Sequence, residues 1–104
     1  TNFTMTGLSG NSVNTIPENY SLSQNYPNPF NPSTVISYQI PNSEFVSLKV
    51  YNELGKEISS LVSKNQNAGR YEISFDGANL SSGIYYYSIQ AGNFSETKKM
   101  IMVK

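Results

Sequence analysis

The sequence predicts an all-β fold, an antiparallel sandwich of about seven strands with an extended arm before it. Three observations carry that expectation. Short segments alternate apolar and polar residues with the period of a half-buried strand, turn residues punctuate them about every 8 to 12 positions, and no helical apolar period outlasts a single turn.

Residues 1–18 (TNFTMTGLSGNSVNTIPE) are rich in Thr, Asn, Ser and Gly, with scattered apolar residues at Phe3, Met5, Leu8, Val13 and Ile16. That composition predicts a linker or arm over residues 1–19. A sharper expectation is that 3–8 or 13–16 adds as a strand to a sheet edge, in its own domain or a neighbour's.

Residues 20–24 (YSLSQ) form a short strand candidate with Tyr20, Leu22 and Gln24 on one face. It leads into Asn25-Tyr26-Pro27-Asn28-Pro29-Phe30-Asn31-Pro32. The prolines fix their own φ near about −65° and push Tyr26, Asn28 and Asn31, which precede them, out of the helical region. They also remove backbone donors, so the segment is neither helix nor central strand. A stiff, extended corner anchored by Phe30 is what remains.

Residues 34–40 (TVISYQI) put Ile36, Tyr38 and Ile40 on one face, and Pro41-Asn42-Ser43 stops them. Residues 45–51 (FVSLKVY) repeat the pattern with Val46, Leu48 and Val50 inward, and the two segments are expected to pair as a hairpin across that turn. Residues 52–56 turn the chain, with Gly55 supplying the positive φ that other residues resist.

The strand at 57–62 has Ile58 and Val62 on one face and Leu61 out of step, which predicts a bulge or bend. Residues 63–68 are polar and read as loop. Gly69 then opens 70–75 (RYEISF), with Tyr71, Ile73 and Phe75 inward. Residues 76–83 read as a crossover plugged by Leu80, with an Asx turn at Asp76 and Gly83 closing it.

Residues 84–91 (IYYYSIQA) place Tyr85, Tyr87, Ile89 and Ala91 on one side. Gly92-Asn93 is a two-residue hairpin turn of the primed kind, and 94–103 is the last strand. Two sheets that each bury one face give an immunoglobulin-like antiparallel β-sandwich over residues 20–104.

Composition narrows the chemistry. There is no histidine, so a Ser-His-Asp triad and a histidine metal site are impossible within this sequence. There is no cysteine, which excludes thiol catalysis and thiolate metal sites. Seven basic against seven acidic residues leave no electrostatic footprint for nucleic acid, and no apolar run reaches the roughly 18 residues of a transmembrane segment. Residues 1–18 contain no charged-then-apolar leader, so an export leader would have to lie outside this sequence.

The remaining candidates read as structure. Glu53 with Glu57, and Glu72 with Asp76, sit where solvated surface charge is ordinary, not where paired carboxylates do acid–base work. Asp76 and Asn79 lack the acidic density of a calcium loop. In the run Tyr85-Tyr86-Tyr87, alternation sends two rings into the core, and a sugar platform would need Tyr86 and Tyr51 coplanar and exposed. Lys49 faces away from Val46, Leu48 and Val50, against an isopeptide crosslink in the core. Lys98, Lys99 and Lys104 read as charges that guard an edge strand. The residue pattern offers no catalytic, cofactor or metal site.

These pieces together resemble a known family, the type A C-terminal sorting domain of proteins exported by the type IX secretion system of Gram-negative bacteria. The resemblance lies in residues 22–34 (LSQNYPNPFNPST), 50–57 (VYNELGKE), 68–72 (AGRYE), 80–87 (LSSGIYYY) and 96–104 (ETKKMIMVK), in that order. It covers residues 20–104, with Gly55, Gly69 and Gly83 among its structural positions.

The resemblance implies an immunoglobulin-like module that catalyses nothing and is recognised by export machinery. It implies a route through the periplasm to the outer-membrane translocon, then surface attachment or release by a sortase-like protease. Lys98, Lys99, Met100, Ile101, Met102, Val103 and Lys104 are the expected recognition residues, because a terminal edge strand offers unpaired backbone groups.

Family members trail a large cargo, whereas about 19 residues precede the domain here, so the sequence is either an excised part or a module turned building block. The second case motivates an alternative function. It is a self-assembling surface or filament subunit, a homo-oligomer in which the N-terminal arm adds to a neighbour's sheet.

Overall fold

The computed structural model describes residues 16–104. The strands expected of residues 3–8 lie outside them, as does all of 13–16 except Ile16, which is exposed. Seven strands follow: β1 Ser21–Leu22, β2 Ser33–Ile40, β3 Glu44–Tyr51, β4 Glu57–Gln66, β5 Gly69–Asp76, β6 Gly83–Ala91 and β7 Phe94–Met102. They form a three-stranded sheet ordered β1-β2-β5 and a four-stranded sheet ordered β4-β3-β6-β7, antiparallel at every strand pairing. The two layers, with strands 1, 2 and 5 opposite 3, 6 and 7, make the sandwich immunoglobulin-like.

Alternation places the core where period-2 reading puts it. Ile36, Tyr38 and Ile40 from β2 meet Val46, Leu48 and Val50 from β3 and Tyr85, Tyr87, Ile89 and Ala91 from β6, all buried. Phe75, Met100, Met102 and Phe30 close one end.

Two expectations are corrected. Residues 34–40 and 45–51 do not pair as a hairpin; β2 pairs with β1 and β5, and β3 pairs with β4 and β6. The short 41–43 corner carries the chain from one sheet to the other. Both arrangements bury the same faces, so alternation alone cannot tell side by side from face to face. Residues 63–66 are strand, not loop, paired through Gln66 to Glu44. An edge strand tolerates polar residues, and β3's unpaired backbone groups require a partner over their whole length.

The bulge expected at Leu61 is present. The β3–β4 register slips between Leu48↔Val62 and Lys49↔Ser60, leaving Leu61 as the extra residue, and a second slip leaves Ile58. Both side chains pack on the core as a result. Gly55, at φ 85°, turns β3 into β4, and Gly92, at φ 59°, turns β6 into β7.

Beyond β5, Asp76 Oδ1 accepts a hydrogen bond from Ala78 N at 2.9 Å, the expected Asx turn, and Leu80 packs against the core. Gly77 N donates to Pro32 O at 2.8 Å. A Cβ at Gly77 would sit 2.6 Å from Met102 Sδ and 3.3 Å from Phe30 Cε2. Gly77→Ala is therefore expected to cost about 1–3 kcal/mol by overpacking. Urea unfolding within experimental error of the parent would refute that close approach.

Candidate functional site: a recognition surface at one pole

The segment between β1 and β2 is built around one buried polar residue. Asn25 Nδ2 donates to Thr34 Oγ1 at 3.0 Å and to Pro27 O at 3.1 Å, and Thr34 Oγ1 donates to Pro27 O at 2.9 Å. Asn25 N donates to the hydroxyl of Tyr87 at 2.8 Å, and that hydroxyl donates to Ser23 O at 2.6 Å. Tyr87 is fully buried, and burial pushes its phenol up to about 12. A buried polar cluster survives only when its groups are satisfied, and this one fixes the path of the chain into the prolines.

The three X–Pro bonds, Tyr26-Pro27, Asn28-Pro29 and Asn31-Pro32, are all cis. The segment bends at 27–29 and again at 31–32, between bridges at Tyr26 and Phe30, so it is a turned clasp where an extended corner is what the prolines predict. Tyr26 exchanges backbone hydrogen bonds with Val35 at 2.9 and 3.0 Å, holding the clasp to β2. Phe30 is 1% exposed and meets Phe75 edge-on, with ring centroids 6.1 Å apart.

The clasp also grips β7. Phe30 N donates to Ile101 O at 2.9 Å and Val103 N donates to Phe30 O at 3.0 Å, a parallel bridge on the outer edge of the last strand. Ile101 N donates to Asn28 Oδ1 at 3.0 Å, and Gln24 Nε2 donates to Lys99 O at 2.7 Å. The expectation that the terminal edge presents unpaired groups is therefore corrected at Lys99 O, Ile101 and Val103 N. Their partners are residues of the same chain.

The seven expected recognition residues divide sharply. Met100 and Met102 are buried, so their side chains serve the core. Lys98 lies on the core-side face at the edge, 3.1 Å from Glu96, while Lys99 is exposed on the opposite face beside Tyr86. Ile101 pairs with Ile84 on that outer face. Val103 is exposed, and Lys104 is latched, its N donating to Ser82 Oγ at 2.9 Å and its Nζ to Ala78 O at 3.1 Å.

Other segments arrive at the same pole. Asn52 Oδ1 accepts from Leu54 N at 2.9 Å and Lys56 N at 3.0 Å, holding the β3–β4 turn so that Leu54 projects 92% exposed. Between this turn and Ser81, Ser82 and Tyr85 lies a cleft of about 250 Å³. Segments 22–34, 50–57, 80–87 and 96–104, far apart in sequence, thus meet at one end of the sandwich. Residues 68–72 lie at the other end, since Gly69 pairs with Ile40. Tyr20, where the chain enters, is at that other end as well, stacked on Phe94 and bonded to Glu44.

The hydrogen bonds of Gln24, Thr34, Tyr87 and Ser82 and the close approach at Gly77 escaped sequence reasoning, although alternation did place Tyr87 inward. Only Thr34 carried a signal, a polar residue in phase with the inward Ile36, Tyr38 and Ile40. Tyr51 and Tyr86 are cross-strand neighbours but half-buried. Among the described residues no group of three His, Cys, Asp or Glu side chains could hold a metal ion, and no helix is long and apolar enough to cross a membrane.

A model of the family described as "Secretion system C-terminal sorting domain" matches residues 24–104. No curated protein matches the chain. Among solved structures it is similar to the Ig1 domain of mouse SynCAM 2, at 17% identity and a TM-score of 0.39. That match covers 69% of this chain and 81% of the other.

Proposed function

The chain belongs to the secretion system C-terminal sorting domain family, and from that premise we propose that the pole where β7 ends is the surface an outer-membrane translocon reads. The family is a signal module of type IX secretion, and membership implies export to the cell surface or beyond. We infer passage through the periplasm, docking of this pole, then release or surface attachment by a sortase-like protease. The domain itself performs no reaction in this scheme.

One observation carries the reading. Four of the five segments that resemble the family converge on this pole, at the end of the sandwich opposite Tyr20. Leu54 and Val103 offer apolar contacts there, with Lys99 on the adjoining sheet face. Exposed apolar side chains rimmed by charge are ordinary docking determinants.

The test is secretion of an inert reporter fused to residues 20–104 in a host with the system. Leu54→Asp and Lys99→Glu are each expected to lower secretion severalfold while circular dichroism and melting stay unchanged. Truncating 100–104 is a poor substitute, because Met100 and Met102 belong to the core. Wild-type secretion by both folded surface variants would count against the pole as the docking surface.

A further inference from the structure

Sheet edges invite strand addition, and proteins ordinarily blunt them with short strands, bulges or inward-pointing charge. Among the described residues, three of the four edges carry such devices. β1 has only two residues, and beyond it Ser23 and Tyr26 take the backbone groups of Ser37 and Val35. β4 has bulges at Ile58 and Leu61, and Lys64 lies on the core side opposite Val46. β7 is gripped by the clasp in its last part, and Glu96 and Lys98 lie on its core side opposite Ile89 and Tyr87.

β5 differs. It pairs with β2 at every position from Ser33↔Asp76 to Ile40↔Gly69 with no register shift. Its core-side residues Tyr71, Ile73 and Phe75 are all apolar. Tyr71 and Ile73 stay half-buried although their β2 partners Tyr38 and Ile36 are fully buried. Among the described residues the edge is straight, apolar on its inner side and incompletely covered.

We propose that β5 pairs with β5 of a second copy, joining two three-stranded sheets into one across a two-fold axis. The hydrogen-bonding phase is set by β2. Val35 bonds to Tyr26 and Ser37 O accepts from Ser23 N, so these residues point away from β5, and so do their partners Ser74 and Glu72 from β2. By alternation the outward groups on β5 are those of Arg70, Glu72, Ser74 and Asp76.

Charge then selects the register. Centring the axis on Ile73 places Arg70 opposite Asp76 of the second copy and Glu72 opposite Ser74. Centring on Glu72 places that carboxylate against itself, and centring on Ser74 sets Glu72 against Asp76; like charges directly opposite are unfavourable. The Ile73 register uses all four outward residues, and Ile73 faces its own copy while Tyr71 faces Phe75. It is isologous, as two-fold contacts must be. The proposal stands independently of the sorting reading.

The chain has no native cysteine, so a single one reports cleanly. In a non-hydrogen-bonded antiparallel pair the Cα atoms lie about 4.5 Å apart, within disulfide reach. Oxidation of the full chain carrying Ile73→Cys is expected to give a disulfide dimer, while Lys64→Cys on β4 stays monomeric. Sedimentation of the unsubstituted chain should show a reversible dimer that Arg70→Glu weakens roughly tenfold, because two attractive pairs become two repulsive ones. A monomer at the highest soluble concentration, or Ile73→Cys crosslinking no faster than Lys64→Cys, would overturn the proposal.

Discussion

Replacing Phe30 by alanine is expected to destabilise the domain by about 3–5 kcal/mol, the usual range for deleting a fully buried aromatic ring. Phe30 is the only large apolar side chain of the proline clasp in the core, touching Phe75 and lying over Gly77. Its main chain also holds Ile101 and Val103. The loss should therefore be felt twice, as a lowered urea midpoint and as a loosened end of β7. Hydrogen exchange separates the two. The amides of Ile101 and Val103 should lose protection before that of Ile89, at the centre of β6. A change under about 1 kcal/mol would mean that the clasp holds by its prolines and side-chain bonds alone.

Tyr87→Phe should cost about 2–4 kcal/mol, since it leaves the buried N–H of Asn25 without an acceptor and Ser23 O without a donor. The effect carries a pH signature. The phenol is raised in the folded state from 10.0 to about 12, chiefly by burial, so its contribution is complete below pH 10. That contribution disappears as pH climbs from 10 through about 12. Tyr20 and Tyr38 are raised as well, the first chiefly by its bond to Glu44 and the second by burial, and they act with the same sign. Alkaline titration of stability should thus fall less steeply for the Phe variant than for the parent. Equal slopes would remove Tyr87 from the account.

Legibility differed by the distance over which each feature is decided. The strands at 45–51, 70–75 and 84–91 were plain because period-2 alternation is written locally, and so were the turns at Gly55 and Gly92. The bulge at Leu61 showed itself as an apolar residue out of step. The continuation of β4 through Gln66 did not, since Ser63, Lys64 and Asn65 are strand only because β3 is beside them. The site divided in the same manner. Phe30 stood out as an anchor and the terminal lysines as a cluster, but which of them face solvent needed the β6 register.

By itself, then, the order of residues determined that the chain is a two-layer β protein without histidine or cysteine chemistry, bearing the motifs of a sorting tail. Alternation, proline stereochemistry and composition act within a few residues, and no partner is required to read them. The tertiary structure alone decided that β2 and β3 face each other across the core and that the proline segment closes the edge of β7. It likewise decided that four distant motifs share one pole. The bond from Gln24 to Lys99 O spans 75 positions and that from Ile101 to Asn28 spans 73. Contacts over such separations depend on which sheet each strand joins, and both sheet assignments bury the same apolar faces, so the choice falls to packing and backbone pairing across the whole domain.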